Sequence, residues 1–312
     1  MPIVAFYSKD SSVELLDEWE KRLQLYFPKI RLVNLLSNQA ENATTALLWK
    51  APLDRVKELN NLKGLISLGQ GVDHLLKENI INKNIPIVRI VDPFMAKSMS
   101  HWVIMSVLNY IRDTYGYYNQ QKTKTYKARK EINFTNLKIA IYGIGAIGKV
   151  VAKDLKQLGF KVEGWSRTIK DITSINCHSG RDKFRFLLKN CDIHICLLPL
   201  TSETVNIFDK SSFKIMKFGS CFINAGRGEQ VVEEDLINNC KSGQISSAIL
   251  DVYCKEPLPQ NSRLWEQENI RIWPHVAAET NPETAAKQIA KAIKCIENGK
   301  TPPNTIDRML GY

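Results

Sequence analysis

The sequence predicts an α/β chain of two domains, each built on a parallel sheet, and three observations predict it. Short apolar runs with strand character alternate with helically periodic stretches from end to end, the pattern of parallel strands joined by helical crossovers. Near the middle, Leu137–Tyr142 runs directly into Gly143-Ile144-Gly145-Ala146-Ile147-Gly148 and then into an apolar-periodic stretch that ends near Leu158, which makes a strand, a glycine turn and a helix start. A length of 312 residues suits two domains of ordinary size.

In chain order, Ile3–Tyr7 reads as a strand, Ser12–Phe27 as a helix and Ile30–Leu35 as a strand. Ala46–Leu48 is the next strand, ending in Trp49-Lys50-Ala51-Pro52 before a helix from Asp54 to Leu59. Leu65–Leu68 follows and ends in Gly69-Gln70-Gly71-Val72-Asp73-His74. Ligands of open parallel sheets gather beyond the carboxyl ends of the strands, so Trp49, Lys50 and the turn at Gln70, Gly71 and Val72 are candidates for one small site. The glycines would let backbone N–H groups face an anion; the alternative is a plain strand-to-helix turn with Trp49 as packing. Ile85–Ile90 reads as the last strand of this half, and Ser98–Tyr118 as one long amphipathic helix crossing into the second domain.

The glycine spacing at 143–148 has a mechanical meaning. The first glycine permits a tight turn, the second lets backbone approach a pyrophosphate, and the third allows close packing of helix on strand. The helix start at Gly145, Ala146, Ile147 and Gly148 then offers N–H groups to phosphates, and Gly159 closes the helix. A second strand, Lys161–Trp165, ends in Ser166-Arg167-Thr168, where an NAD enzyme would carry an acidic residue for the ribose hydroxyls. A guanidinium forks onto a 2′-phosphate and two hydroxyls can donate to it, so NADPH is the preferred cofactor, with NADH possible.

Farther on, a helix around Phe184–Leu188 precedes a strand from Asp192 to Pro199, in which His194 reads as a satisfied structural histidine. The helix Ser211–Lys217 leads to Cys221–Asn224 and the turn Ala225-Gly226-Arg227-Gly228. An arginine between two glycines at a strand end is well placed to meet a carboxylate bidentately. Helix Glu233–Lys241 and strand Ile245–Val252 follow, and Asp251-Val252-Tyr253-Cys254-Lys255-Glu256-Pro257 leaves that strand; Ile270–Trp273 is the last, followed by Pro274-His275-Val276-Ala277. The alanine-rich helix Pro282–Asn298 can return the chain to the first domain. This divides the chain into a discontinuous substrate-binding domain, 1–100 with 283–312, and a nucleotide-binding Rossmann domain, 101–282.

Arg227, Glu256 and His275 all fall just past strand ends of the nucleotide domain. Together they supply what reduction of a 2-oxoacid needs: Arg227 to bind the carboxylate and polarise the carbonyl, His275 to deliver the proton, and Glu256 to orient the imidazole and keep it protonated near neutral pH. A protein that uses NADPH only as a regulatory ligand would not need a proton donor paired to a carboxylate.

Composition narrows the classes further. The formal charge is +11, but the lysines are spread along the chain and no basic block is interleaved with aromatics, so nucleic acid is not an expected partner. No apolar run approaches the ~20 residues of a membrane span, and the N-terminus reads as a strand without a basic leader, so no membrane association and a cytoplasmic location are expected. Seven cysteines without a C-x-x-C pair argue against a disulfide framework and against a metal site; Cys196 and Cys221 lie in apolar runs as small hydrophobes.

Over nearly its whole length the sequence resembles the D-isomer-specific 2-hydroxyacid dehydrogenases, and looks most like their bacterial glyoxylate/hydroxypyruvate reductase A group. The resemblance is carried by Leu68–Asp73, Gly143–Gly148, Trp165-Ser166-Arg167, Leu197-Leu198-Pro199, Asn224–Gly228, Asp251–Pro259, Pro274–Ala277 and the ending Asp307–Tyr312. It implies a flavodoxin-like substrate domain beside the nucleotide domain, an interdomain cleft that closes on ligand, and a homodimer built through the cofactor domains. It also implies NADPH-dependent reduction of glyoxylate to glycolate and hydroxypyruvate to glycerate, or turnover of another 2-hydroxy acid. Arg227 and His275 would then be the catalytic pair with Glu256 as partner of His275. Leu198, Pro199, Ala225, Gly226 and Asp251 would line the cofactor, the Gln70–Val72 turn would bind the substrate carboxylate, and Trp49 would limit substrate size. Two positions depart from the pattern: Gln70 stands where a small residue is common, and Lys50 adds a cation at the pocket mouth.

Overall fold

The computed structural model describes residues 1–8, 12–76 and 84–312. The chain forms two compact units, Met1–Met95 with Glu279–Tyr312, and Ala96–Ala278.

The first unit opens with β1 (Ile3–Tyr7), α1 (Val13–Gln24), β2 (Arg31–Asn34), β3 (Thr45–Leu48), α2 (Leu53–Lys57), β4 (Gly64–Ser67), α3 (Asp73–Leu76) and β5 (Ile87–Val88). Its five strands lie in the order β2-β1-β3-β4-β5 and every pair is parallel, which is the flavodoxin-like arrangement. Alternation explains why these strands are apolar throughout: Val4, Phe6, Leu47 and Ile66 pack on one face with Trp19 and Leu23, while Ala5, Ala46, Leu48 and Leu65 pack on the other with Val56 and Leu75. A strand covered on both faces has no solvent side on which to place polar residues. The last strand is shorter than the expected Ile85–Ile90: Pro86 has no N–H to give the ladder, and the Ile90 N–H donates to Gly69 O at 3.3 Å, beyond the end of β4.

The expected single helix from Ser98 to Tyr118 is two helices, α4 (Pro93–Ile111) and α5 (Thr114–Lys122). Asp113 between them is left-handed, with φ of 47°, and its carboxylate accepts the Gly116 N–H at 3.1 Å. A side chain that caps the next helix from that conformation ends the previous one. From Ala96 onward α4 belongs to the second unit.

That unit continues with β6 (Lys138–Tyr142), α6 (Ala146–Gln157), β7 (Lys161–Trp165), β8 (Asn176–His178), α7 (Arg181–Asn190), β9 (Ile193–Cys196), α8 (Lys210–Ile215), β10 (Ser220–Asn224), α9 (Glu233–Lys241), β11 (Ile245–Leu250) and β12 (Ile270–Ile272). The seven strands are parallel in the order β12-β11-β10-β9-β6-β7-β8, a doubly wound sheet whose direction of winding reverses between β6 and β9. The final helix, α10 (Pro282–Glu297), returns to the first unit, where its buried Ala285, Ile289, Ile293 and Ile296 join the core beside α1. Asn281 caps it by accepting the Glu283 N–H at 2.8 Å, and Pro282 opens its first turn.

One register row crosses the second sheet. Ile272 pairs with Leu250, Leu250 with Asn224, Asn224 with Cys196, Cys196 with Tyr142, and Tyr142 with Trp165. Six loops therefore leave the sheet at one level, beginning with Trp273, Asp251, Ala225, Leu197, Gly143 and Ser166.

Candidate active site

The glycine turn shows why each of its three glycines is glycine. Gly143 has φ of 107°, and a Cβ there would lie 2.4 Å from Leu197 O in the neighbouring strand-end loop. At Gly148 a Cβ would lie 2.0 Å from Gly143 O, so helix α6 could not sit so close to the turn. Gly145 is different: a Cβ there would meet no atom of the described residues within 4 Å. Among the described residues nothing asks for glycine at 145, and no side chain caps the helix at the N–H groups of Ala146, Ile147 and Gly148 that open α6. An open cradle over uncapped amides at a helix N-terminus is what a pyrophosphate requires.

At the end of β7 the three expected phosphate donors are divided. Arg167 and Thr168 are exposed, while Ser166 is buried and its hydroxyl donates to Thr168 O at 2.8 Å, so it braces the loop instead of reaching outward. Lys170 joins the same loop, donating from Nζ to Thr168 Oγ1 at 2.7 Å.

Across the switch point, the Arg227 turn is tightly held. Asn224 Oδ1 accepts the Gly226 N–H and Nδ2 donates to Arg227 O, each at 3.0 Å, and Arg227 Nη1 donates to Gly226 O at 2.7 Å. The segment that leaves β11 then grips the segment that leaves β12 at three points. Asp251 accepts the N–H groups of Val276 (2.8 Å) and Ala277 (3.0 Å). The Tyr253 hydroxyl accepts the Trp273 N–H at 3.0 Å, with Leu250 O 2.8 Å away to take its proton. Glu256 Oε2 lies 2.8 Å from His275 Nδ1, while its Oε1 accepts the Tyr253 N–H at 3.1 Å. Between these clamps His275 holds a left-handed backbone with φ of 59°, which an L side chain adopts only under constraint.

Asp251, expected along the cofactor, is only 1 % exposed and spends both oxygens on the histidine loop; what it does in this structure is anchor that loop. Burial pushes its carboxyl upward from the ordinary value, against the pull of those two amides and of His275. Pro199 O accepts the Thr204 hydroxyl at 2.7 Å, and Leu198 is buried beside it. His194 is only half satisfied: Nδ1 lies 3.0 Å from the Tyr142 hydroxyl, but buried Nε2 has no hydrogen-bond partner among the described residues. Burial drives its pKa down to about 3, so it stays neutral and is no proton donor. Cys196 is buried as expected and donates to Gln230 Oε1 at 3.1 Å. Among the described residues no group of three or more His, Cys, Asp or Glu could hold a metal ion, and no helix is long and apolar enough to cross a membrane.

In the first unit, the two expected substrate loops form one structure. A Cβ on Gly69 would lie 2.5 Å from the Trp49 ring, so the indole occupies the room that glycine leaves. His74 Nδ1 accepts the Lys50 N–H at 3.3 Å, His74 Nε2 lies 3.1 Å from Ser67 Oγ, and that hydroxyl donates to Gly71 O at 2.9 Å. The pairing with Lys50 N–H puts the imidazole proton on Nε2. A buried histidine thus ties the Trp49-Lys50 bend to the Gln70-Gly71-Val72 turn. Sequence reasoning stopped at this turn and did not see His74 as its brace.

A doubly wound nucleotide-binding fold with a paired histidine and carboxylate at its strand ends defines a class, the dinucleotide-dependent oxidoreductases. The model of the D-isomer specific 2-hydroxyacid dehydrogenase NAD-binding domain matches residues 104–277. Glyoxylate/hydroxypyruvate reductase A of Yersinia enterocolitica is 32% identical over 300 residues, covering 95% of this chain and 96% of that protein. The reductase of the same name from Serratia proteamaculans is 34% identical over 304 residues with the same coverage. Among solved structures, a D-isomer specific 2-hydroxyacid dehydrogenase from Xanthobacter autotrophicus Py2, in complex with NADPH and MES, is similar with a TM-score of 0.91 and 32% identity over 100% of this chain and 99% of that one. An NADPH-dependent glyoxylate/hydroxypyruvate reductase from Sinorhizobium meliloti, in complex with NADP and sulfate, gives 0.90 and 30% over 100% of both chains. The chain belongs to the D-isomer-specific 2-hydroxyacid dehydrogenase family, and is an oxidoreductase of that family.

Proposed function

We propose that this protein reduces small 2-oxoacids with NADPH, glyoxylate to glycolate and hydroxypyruvate to glycerate. The observation that carries the reading is the 2.8 Å pairing of His275 Nδ1 with Glu256 Oε2, on a loop that leaves the same register row as the Arg227 turn and the glycine turn. The residues present fit the cofactor: the Gly145 cradle with the α6 amides would hold the pyrophosphate, and Arg167, Thr168 and Lys170 would hold a 2′-phosphate. NADPH, when bound, supplies the hydride.

The rest belongs to the chain's own groups. Arg227 binds the substrate carboxylate and draws charge from the carbonyl oxygen as it becomes an alkoxide. With Nδ1 held by Glu256, His275 presents Nε2 as the nitrogen that gives up the proton. Glu256 is itself fixed by the Tyr253 N–H, so the imidazole cannot turn freely and its positive form is matched by a carboxylate. Gln70, Gly71 and Val72 offer backbone N–H groups to the carboxylate, Trp49 limits the substrate's size, and the protein works as a homodimer.

The test is the initial rate of NADPH and NADH oxidation against a panel of 2-oxoacids. Turnover of glyoxylate or hydroxypyruvate with NADPH preferred is expected, and no turnover across the panel refutes the proposal. Arg227→Ala should lower kcat/KM at least ~100-fold, since anchoring and polarisation are lost together.

A further inference from the structure

Gln230 was not among the expected site residues, yet it is the most completely bonded side chain near Arg227. It is fully buried. Its Oε1 accepts the Arg227 N–H at 2.8 Å and the Cys196 thiol at 3.1 Å. Its Nε2 donates to Leu198 O at 2.9 Å and Pro199 O at 3.1 Å. Two donors face one end of the amide and two carbonyls face the other, so the orientation of the amide is unambiguous and all four of its valences are used. Burial lifts the Cys196 thiol to about 12, which keeps it a donor.

These bonds join two loops that have no covalent connection nearby. One carries Arg227; the other, Leu198-Pro199, leaves the adjacent strand. A second observation shows how closely the amide is fitted: a Cβ on Gly226 would lie 2.4 Å from Gln230 Oε1 and 3.0 Å from Leu198 O. The glycine before Arg227 is therefore the space that Gln230 fills. A buried amide with four bonds is costly to leave half satisfied, so the two loops are locked as a unit.

We propose that Gln230 is a positioning residue that sets Arg227 at a fixed height against the Leu198-Pro199 loop, and that substrate turnover depends on it through Arg227. The inference rests on Arg227 being the arginine that binds the oxoacid. A displacement of about 1 Å in such a group can cost on the order of 100-fold in rate.

The experiment is a double-mutant cycle on the intact 312-residue chain with NADPH and glyoxylate. Gln230→Met, of similar length but without hydrogen bonds, should lower kcat/KM at least ~30-fold in the parent and less than ~threefold in an Arg227→Lys background, because a residue that acts through Arg227 has little left to misplace. The affinity for 2′,5′-ADP, which reports only the adenine end, should stay within ~threefold of the parent. Equal losses in both backgrounds, or a parallel loss of 2′,5′-ADP affinity, overturn the proposal. If Arg227→Lys alone costs less than ~tenfold, the reading of Arg227 itself has failed, which is a separate result. Should Gln230→Met not fold, Gln230→Glu decides. Its neutral acid accepts the Arg227 N–H and donates to one loop carbonyl, whereas its anion has no donor for either. Activity relative to the parent should then rise as pH falls from about 8.5 to about 6. A pH-independent ratio overturns the proposal.

Discussion

The carboxylate of Asp251 meets the Val276 N–H at 2.8 Å, and that bond, with its companion to Ala277 at 3.0 Å, holds the loop in which His275 has its left-handed backbone. A conformation that costs an L residue about 1–2 kcal/mol persists only where its surroundings fix it. Asp251→Asn keeps one acceptor oxygen but turns an NH2 group toward the second N–H. We expect kcat to fall at least ~tenfold while the Kd for NADPH, measured by fluorescence titration, stays within ~threefold. A large rise in that Kd with kcat preserved would return Asp251 to the cofactor.

The glycine turn predicts a contrast between two conservative substitutions. Gly148→Ala places a methyl group 2.0 Å from Gly143 O, so the helix must move, and thermal unfolding should fall by several degrees. Gly145→Ala meets no protein atom, and its φ of −90° suits any residue, so its unfolding temperature should match the parent. Its affinity for NADPH should nonetheless drop at least ~tenfold, because the methyl group fills the cradle. Unchanged affinity in Gly145→Ala would move the phosphates elsewhere.

Arg167→Asp should shift cofactor preference toward NADH. It replaces an exposed cation with an anion that repels a 2′-phosphate and can accept from a free 2′-hydroxyl. The ratio of kcat/KM for NADPH over NADH should fall at least ~30-fold. Ser166 will not limit the effect, since its hydroxyl is engaged with Thr168 O, but Lys170 will, since it bonds within the same loop. A ratio within threefold of the parent would leave Lys170 as the group to test next.

Asp154 sets a pH dependence of stability. Burial raises its carboxyl, but donors from Lys97 at 2.8 Å and Ser100 at 2.6 Å outweigh that, and the net effect lowers it from the ordinary value. An acid with a lowered folded-state pKa contributes stability above its unfolded value of about 3.9 and loses that contribution as pH falls through the folded value. Asp154→Asn should therefore lower the unfolding temperature at pH 7, and the difference from the parent should shrink as pH falls below about 3.9. A difference that is the same at both pH values would show that geometry, and not charge, is what Asp154 contributes.

Much of this was legible in the sequence because strands buried on both faces have to be apolar and because a strand that turns tightly into a helix, as at Gly143 and Gly148, leaves no room for a side chain. The pairing of Glu256 with His275 was legible for a similar reason, since both lie just past strand ends of one sheet. What could not be read depends on side chains that meet across the fold. Asp113 ends a helix only because its carboxylate can reach Gly116 from a left-handed backbone, and periodicity does not report that. Ser166 looked like a phosphate donor by position and type, but its nearest acceptor is a carbonyl of its own loop. His74 and Gln230 lie just after turns whose glycines drew attention, and their partners come from other strand ends. His194 was read correctly as structural, yet no pattern could show that one of its nitrogens is left without a partner.

The single register row has a consequence for altering this enzyme. Each loop departs from the same level, so lengthening or shortening one of them past the row changes the reach of that loop alone. The segment after Trp165, which carries Arg167, and the one after Leu250, which carries Glu256, can each be varied as a separate coordinate of a library. An insertion before the row behaves differently: one extra residue in β9, β10 or β11 exchanges the two faces of that strand, driving core side chains against the wrong helix layer and turning the loop's first residue to the opposite side. Libraries confined to positions after the row should thus retain folded members at a high rate, and any activity they lose can be assigned to the one loop that was changed.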